Sequence, residues 1–353
     1  MEVEKLNFSG GTQRMLEKYL GVKNSTRNLS DTEFESILPQ LAIELSSVNY
    51  ETNYTDEVLH KEWKTLLEFS NTTNISSSSV RCGIKLCEHF FPNFYDIENT
   101  KGVSFSALWS QSEVLEKVLR WNRKSHSTPY LSELKRGIYF TQGLTKNTMY
   151  RPHLSKMVCD MSDTTTVLDP CAGWGGRLLG TVASGKHYVG FDPNPTTNKN
   201  LQNLVEFLGI ENSVTLINDG SENMDKYDFP KVGIVITSPP YFNLEIYNTG
   251  KQQSENQYDT YEQWKDSWLK KVISLSLDRL NGYSCWNVHD IGKMKMIQDV
   301  RDIHQELGYE EYSQYTLQSS PRQSNKTKET AKKKNSDLTI CYTQSLTNRD
   351  LLV

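Results

Sequence analysis

The chain has 353 residues, of which 39 are basic and 43 acidic, so its formal net charge at pH 7 is −4. This length allows two domains, or one large domain with an extension. The near balance of charge excludes a strong overall field toward nucleic acid, so any nucleic-acid-binding face has to be local. A hydrophobic content of 36% and a mean hydropathy of −0.61 are typical of a globular protein with polar loops.

The sequence carries no signal for a membrane or for secretion. It has no apolar run of about 18 residues, and residues 1–5 lack the apolar core of a secretory signal. Its six cysteines are scattered without the spacing of a metal site, as is usual in reduced proteins. We therefore expect an intracellular, cytoplasmic protein with no membrane partner and no bound metal.

Residues 1–149 are predicted to form a mainly helical region. Ser30 is followed three residues later by Glu33, which is the pattern of a capping box before an apolar-periodic run. Residues 58–69 have the pattern of an amphipathic helix, and the polar stretch 70–79 indicates a loop or linker. This region contains no catalytic motif and is a candidate for target recognition.

A basic cluster with an aromatic residue inside it occupies residues 120–124, Arg-Trp-Asn-Arg-Lys. Basic side chains around an aromatic ring suit phosphate contacts combined with base stacking. A solvated helix end with one buried tryptophan fits the same pattern equally well. Arg120, Arg123 and Lys124 are therefore candidate nucleic-acid contacts, with this alternative left open.

From residue 166 to about residue 245, apolar stretches alternate with helical patterns, which predicts a parallel sheet with helices on both faces. Ligands bind such sheets beyond the carboxyl ends of the strands. The first strand ends at Asp169, an acid suited to an amine or hydroxyl, and runs into the turn Pro-Cys-Ala-Gly-Trp-Gly-Gly. The glycine spacing matches neither the dinucleotide fingerprint nor the P-loop.

The second and third strands also end in acidic residues. Asp192 ends the second strand, where it is placed to contact ribose hydroxyls. Asp219 follows the third strand in a polar turn, where it is placed to meet an adenine amino group. All three acids are therefore expected at one edge of the sheet.

The fourth strand ends in the stretch Thr-Ser-Pro-Pro-Tyr at residues 237–241. Two consecutive prolines prevent both a helix and further strand pairing, so the backbone leaves the sheet rigid and extended. Ser238 Oγ and the Pro239 carbonyl can accept hydrogen bonds from an amino group, and Tyr241 can stack on its ring. Taken alone, the stretch also fits an ordinary Pro-Pro loop with a packed tyrosine.

Three more strands are predicted, at residues 283–290, 309–318 and 337–344. His289 lies near the end of the first of them, where a single histidine is more often structural than catalytic, and it is left out of the catalytic set. A polar, strongly basic segment separates the last two strands at residues 319–336.

In this order, the glycine turn, Asp192, Asp219 and Thr-Ser-Pro-Pro-Tyr resemble the S-adenosylmethionine-dependent DNA amino-methyltransferases over roughly residues 150–345. The resemblance implies an α/β, class I (Rossmann-like) methyltransferase domain at residues 150–353. Its sheet would be seven-stranded and mostly parallel, with an antiparallel closing hairpin.

The resemblance also implies roles for single residues. The methionine end of the cofactor would be held by Asp169 and the turn, and Arg151 would lie in an element that closes over it. Asp192 would hold the ribose, and Asp219 the adenine. The target base would be held by Ser238, Pro239, Pro240 and Tyr241. The turn residues in the cofactor set are Pro170, Ala172, Gly173, Gly175 and Gly176.

The resemblance leaves the modified base open. Many relatives have Asp or Asn where Ser238 stands, and Ser-Pro-Pro-Tyr favours N4 of cytosine over N6 of adenine, although serine can serve either amino group. RNA or protein-amide methylation, and a non-catalytic cofactor-binding subunit, are further alternatives. The expected partner is duplex DNA with base flipping, with a cognate restriction endonuclease as a second candidate.

The basic segment would form the loop of the closing hairpin, on the side of the active site. Flexible basic loops of this kind track a phosphate backbone. A solvated surface loop is the alternative. The candidate contacts are Lys326, Lys328, Lys332, Lys333 and Lys334.

Overall fold

A computed structural model gives the structure of the chain in ten segments. They are residues 10–21, 25–52, 54–70, 80–99, 101–125, 128–144, 148–242, 253–254, 257–318 and 336–344. The chain divides into two compact units, of which the second resumes at Met149, next to the predicted boundary between residues 149 and 150. Residues 59–90 belong to this second unit, so they fall on the other side of the division from their predicted place. The functional division into a recognition region and a methyltransferase domain stays a prediction.

The part of the chain before the sheet is helical, as predicted. In the first unit, an apolar core includes Leu38, Leu41, Trp109, Leu115 and Leu119. The predicted capping box is confirmed, because Ser30 Oγ accepts from the Glu33 N–H while the Glu33 carboxylate accepts from the Ser30 N–H. The helices are α1 (Gly10–Leu20), α2 (Asp31–Ser46), α3 (Asp56–Leu67), α4 (Ile84–Phe90), α5 (Phe105–Trp109), α6 (Ser112–Ser125) and α7 (Leu131–Gln142).

The second unit contains a seven-stranded sheet in the order β3-β2-β1-β4-β5-β7-β6. β1 to β5 are parallel, and β7 pairs antiparallel with both β5 and β6. This confirms the predicted fold class, a mostly parallel sheet closed by an antiparallel hairpin. The strands are β1 (Thr166–Asp169), β2 (His187–Phe191), β3 (Val214–Ile217), β4 (Val232–Thr237), β5 (Leu280–Val288), β6 (Tyr309–Gln318) and β7 (Ser336–Gln344).

The centre of the sheet is formed by the most apolar strands. Every residue of β1 and β4 is buried, as expected for parallel strands that helices cover on both faces. A large core there includes Trp264, Trp268 and Trp286. No helix within the described segments is both long and apolar enough to cross a membrane. The helices of this unit are α8 (Pro152–Cys159), α9 (Gly176–Ala183), α10 (Pro195–Leu208), α11 (Tyr261–Trp264), α12 (Lys270–Asp278) and α13 (Met296–Glu306).

The chain order of the strands reverses at β1. The chain runs outward from β1 through β2 to β3, then returns to the other side of β1 as β4. The carboxyl ends of β1 and β4 are therefore neighbours at a topological switch point, which is where open α/β sheets bind ligands.

Two glycines let α9 pack closely on the segment that contains α8. A Cβ at Gly176 would lie 2.0 Å from the Tyr150 carbonyl oxygen, and one at Gly180 would lie 2.3 Å from the Pro152 carbonyl oxygen. Since α9 begins directly after the glycine-rich turn, this close packing fixes the position of the turn.

Gly180→Ala tests this packing. Helix propensity alone predicts that alanine stabilises α9 by about 1 kcal/mol. The close contact predicts the opposite sign, a loss of about 1–3 kcal/mol in the free energy of unfolding, because the backbone of α8 cannot yield. Urea denaturation of both proteins measures the difference, and a stabilised variant would contradict the packing argument.

Candidate functional site

The site is built around the carboxylate of Asp169, at the end of β1. This side chain is 0% exposed. Its Oδ1 accepts from Thr237 Oγ1 at 2.9 Å and from the Cys171 N–H at 3.1 Å. Its Oδ2 accepts from Arg177 Nε at 2.7 Å and from the Tyr188 hydroxyl at 2.8 Å. Four protein donors therefore surround one buried carboxylate.

This arrangement corrects the role expected for Asp169. A carboxylate has about four acceptor positions, and here each one is taken by a protein donor. No solvent-facing edge remains for the amine of a cofactor. Asp169 instead joins the ends of β1 and β4 to the turn and to α9. Its buried carboxylate therefore holds these elements in place.

Arg177 is a site residue that the sequence analysis missed. Its buried guanidinium pairs with Asp169 at 2.7 Å, donates to the Cys171 carbonyl, and lies 5.2 Å from the centre of the Tyr150 ring. A cation directly after two glycines, at the start of an otherwise apolar helix, was the available signal.

Burial and the adjacent carboxylate of Asp169 raise the pKa of the Tyr188 hydroxyl, which therefore stays protonated as a donor.

The glycine-rich turn is held by the neighbouring strand β2. Gly173 and Gly175 have φ values of +56° and +73°, a left-handed conformation that favours glycine. The Ala172 N–H donates to the Phe191 carbonyl at 2.8 Å, and the Gly173 N–H donates to Asp192 Oδ2 at 2.9 Å. At Gly173 the turn thus leaves backbone partly exposed next to an acidic side chain. Pro170, Ala172, Gly175 and Gly176, also predicted for this site, are buried.

Asp192 sits at the end of β2 with capacity to accept further hydrogen bonds. Each of its oxygens accepts one backbone N–H, from Gly173 and from Asn194, both at 2.9 Å. One acceptor position per oxygen remains for hydroxyl groups. Burial raises the pKa of this carboxyl to about 6, so its charge changes close to neutral pH.

Asp219 follows β3, the next strand outward. It accepts from the Gly220 N–H and Asn223 Nδ2 through Oδ1, and from the Tyr227 hydroxyl through Oδ2. These three donors lower its pKa against the opposing effect of burial. The preceding Asn218 donates to the Asp192 carbonyl at 2.9 Å, which ties the ends of β3 and β2 together.

The Ser-Pro-Pro-Tyr segment leaves β4 between two buried anchors. Thr237 is 0% exposed and bonded to Asp169, and Phe242 is 5% exposed and packs on Trp264 at a ring separation of 6.1 Å. Between these anchors, Ser238, Pro240 and Tyr241 are partly exposed, while Pro239 is buried. The structure thus presents the segment at the switch point, where the fourth strand was predicted to end.

Arg151 contacts another part of the second unit. It precedes α8, and its guanidinium donates to the Val80 carbonyl at 3.0 Å. Its predicted contact with the cofactor stays a prediction.

The basic cluster of α6 is engaged within the first unit. Arg120 forms a two-pronged ion pair with Glu35, with a closest distance of 2.8 Å. Arg123 pairs with Asp31 at 2.7 Å and lies over the Phe34 ring at 4.7 Å. Partner acids from α2 hold both arginines in this structure, and their contact with nucleic acid stays a prediction. Lys124 is exposed. Lys326, Lys328, Lys332, Lys333 and Lys334 lie outside the described residues.

Comparison with known proteins adds little beyond the fold. No family model and no curated protein matches the chain. An rRNA methylase from Streptococcus thermophilus is 18% identical, with 56% of this chain and 100% of that chain covered, at a TM-score of 0.36. An O-methyltransferase from Thermotoga maritima is 13% identical, with 57% of this chain and 69% of that chain covered, at a TM-score of 0.37. A precorrin-6Y C5,15-methyltransferase from Geobacter metallireducens is 14% identical, with 58% of this chain and 96% of that chain covered, at a TM-score of 0.38. Similarities this low carry no information about the substrate.

Thr237→Val tests the link between β4 and Asp169. Valine keeps the shape of threonine but removes the hydroxyl that donates to the buried carboxylate. A hydrogen bond to a charged group contributes about 1.5–3 kcal/mol, and we expect the free energy of unfolding to fall by that amount. Thr215→Val, which alters an exposed threonine on β3, is the matched control. Equal effects of the two substitutions in urea denaturation would contradict the proposed link.

Proposed function

We propose that this chain transfers a methyl group from S-adenosylmethionine to the exocyclic amino group of a base in DNA, with N4 of cytosine preferred to N6 of adenine. The supporting observation is the direct bond from Thr237 to Asp169. Through it, a rigid segment with amino-group acceptors begins beside a glycine-rich turn. This bond supports a function in which acceptors for an amine and a cofactor lie side by side at one switch point.

The residues at the strand ends fit the cofactor. The partly exposed backbone of Gly173 suits close approach of its methionine part, in place of the contact first expected from Asp169. Asp192 has acceptor positions for the ribose hydroxyls. Asp219 Oδ2, with one protein donor, can also accept from the adenine amino group. When bound, the cofactor supplies an electrophilic methyl group on a sulfonium.

The Ser-Pro-Pro-Tyr segment would prepare the nitrogen of the target base. An amino group on cytosine or adenine is a poor nucleophile because its lone pair is delocalised into the ring. Ser238 Oγ and the Pro239 carbonyl would accept its two hydrogens, which favours a tetrahedral nitrogen with a localised lone pair. Positioning and electrostatics then account for the rate.

Duplex DNA is the proposed partner, and a base has to leave the duplex to reach this segment. Unstacking costs a few kcal/mol, and the ring of Tyr241 offers a stacking surface in return. The basic segment that contains Lys326 and Lys334 is proposed to follow the phosphate backbone. Lys124, exposed on α6, is proposed as a further phosphate contact.

Ser238→Ala tests the catalytic role of the segment. Loss of one positioned polar group from an electrostatic site typically lowers kcat by roughly 100- to 1000-fold, and we expect that loss here. Cofactor affinity, measured by calorimetry, should be unchanged. Ser238→Asn keeps an acceptor oxygen and should retain part of the activity, and Ser132→Ala on the exposed face of α7 is the neutral control. Full turnover by Ser238→Ala would contradict the assignment.

The substrate is identified by transfer of a labelled methyl group to unmethylated duplex DNA, with RNA and protein as parallel acceptors. We expect label in DNA, and N4-methylcytosine after digestion to nucleosides. N6-methyladenine would reverse the choice of base, and label only in RNA or protein would overturn the substrate. Cofactor binding without any transfer would favour a non-catalytic subunit.

The raised pKa of Asp192 predicts how cofactor affinity depends on pH. Ribose hydroxyls bind the ionised carboxylate more strongly than the neutral acid, and the unliganded carboxyl takes up its proton as the pH falls through about 6. Affinity should therefore fall below this pH, by at most about tenfold per pH unit. Calorimetry across roughly pH 5 to 8 measures it. Asp192→Asn should bind weakly and show no such dependence; a pH-independent wild type would contradict the assignment.

A further inference from the structure

β5 extends beyond β4 and brings His289 level with the Ser-Pro-Pro-Tyr segment. The paired register of the two strands ends at Thr237 opposite Trp286. β5 continues to Val288, and His289 follows it. The centre of its imidazole lies 4.2 Å from the centre of the Tyr241 ring, with 47° between the ring planes.

The backbone on both sides of His289 is firmly held. Before it, Val288 pairs with Leu338 on β7. After it, the Asp290 carboxylate accepts from the Ile297 N–H at the start of α13 and from Lys295 Nζ, both at 3.2 Å. Ile291 and Met294 exchange two backbone hydrogen bonds across the connecting turn. His289 is therefore presented from a rigid support, as a positioning group requires.

His289 differs from His304, a buried histidine of the same unit. His304 is 0% exposed, and its ring nitrogens lie 2.9 Å from Ser284 Oγ and 2.8 Å from the Val300 carbonyl. Burial lowers its pKa to about 4, as expected for a neutral core histidine. His289 and Tyr241 are both only partly exposed rather than enclosed, and they meet beyond the strand ends. That is the place where a ligand of this fold lies.

We propose that His289 is a positioning residue for Tyr241. Its imidazole packs against the phenol ring and limits the orientations that this ring can take. The ring then offers a single defined surface to a planar base. This inference rests on the proposed function, and it adds a residue from β5 to a base-binding group that otherwise comes from the end of β4.

The contact predicts a graded effect of substitutions at position 289. The interaction free energy of one aromatic pair is enough to change an equilibrium constant or a rate constant by about 2- to 13-fold. His289→Ala should therefore lower kcat/KM for unmethylated duplex DNA by roughly tenfold, mainly through a higher KM for DNA. His289→Phe restores a flat ring and should recover most of the loss. His187→Ala, at the partly exposed start of β2, is the matched control.

A double-mutant cycle separates positioning from a general structural role. Duplex affinity is measured for His289→Ala, Tyr241→Ala and the double variant, all with the cofactor present. If His289 acts through the Tyr241 ring, its substitution has no further effect once that ring is gone. Cofactor affinity and thermal midpoint should stay at their wild-type values in His289→Ala.

The outcomes distinguish this inference from the function on which it rests. Methyl transfer by the wild type with unchanged kinetics in His289→Ala overturns the inference alone. Additive losses in the cycle, or a loss of cofactor affinity in His289→Ala, also overturn it. Absence of methyl transfer from the wild type to any nucleic acid overturns both. Three results together support the inference. His289→Ala lowers kcat/KM about tenfold, His289→Phe recovers most of that loss, and His289→Ala has no further effect on duplex affinity in a protein that already carries Tyr241→Ala.

Discussion

The buried carboxylate of Asp169 is the constraint on which the site depends. A charge withdrawn from water is tolerated only where it is paired and hydrogen-bonded, because its desolvation costs several kcal/mol. Here the compensation comes from Arg177, Tyr188, Thr237 and the Cys171 N–H. These donors belong to α9, β2, β4 and the glycine-rich turn. Removing any one of them would leave part of the charge uncompensated, so the four elements are held in one relative arrangement.

Single hydrogen bonds connect the surroundings of Asp169 to the other strand ends of the site. The hydrogen bond from Thr237 to Asp169 fixes where β4 ends and hence where the Ser-Pro-Pro-Tyr segment begins at Ser238. The bond from Gly173 to Asp192 carries the arrangement to β2, and Asn218 carries it to β3. The glycine-rich turn, Asp192 and Asp219, proposed to hold the three parts of the cofactor, thus follow one another along one edge of the sheet, beside the Ser-Pro-Pro-Tyr segment. Such preorganisation is what a reaction that depends on positioning requires.

The sequence predicted the fold and the places of the motifs well, because both follow from local patterns. Unbroken apolar runs indicated buried parallel strands, and each motif followed such a run. What the sequence did not show is how charged side chains pair. Arg120 and Arg123 pair with Glu35 and Asp31, which are 85 and 92 residues away along the chain. No local pattern contains a contact of that kind.

The sequence by itself therefore determined the strands, the rigid turn after β4 and the chemical groups available at each strand end. Backbone conformation and hydrophobic period are set by near neighbours, so they can be read from the sequence. Only the tertiary structure decided which acid is open to a ligand and which is enclosed. Asp169 and Asp192 both end a strand before a turn, yet burial and four protein donors enclose the first, while the second keeps free acceptor positions. That difference arises from contacts with residues distant in sequence, such as the bond from Thr237 to Asp169, which forms only when the sheet forms.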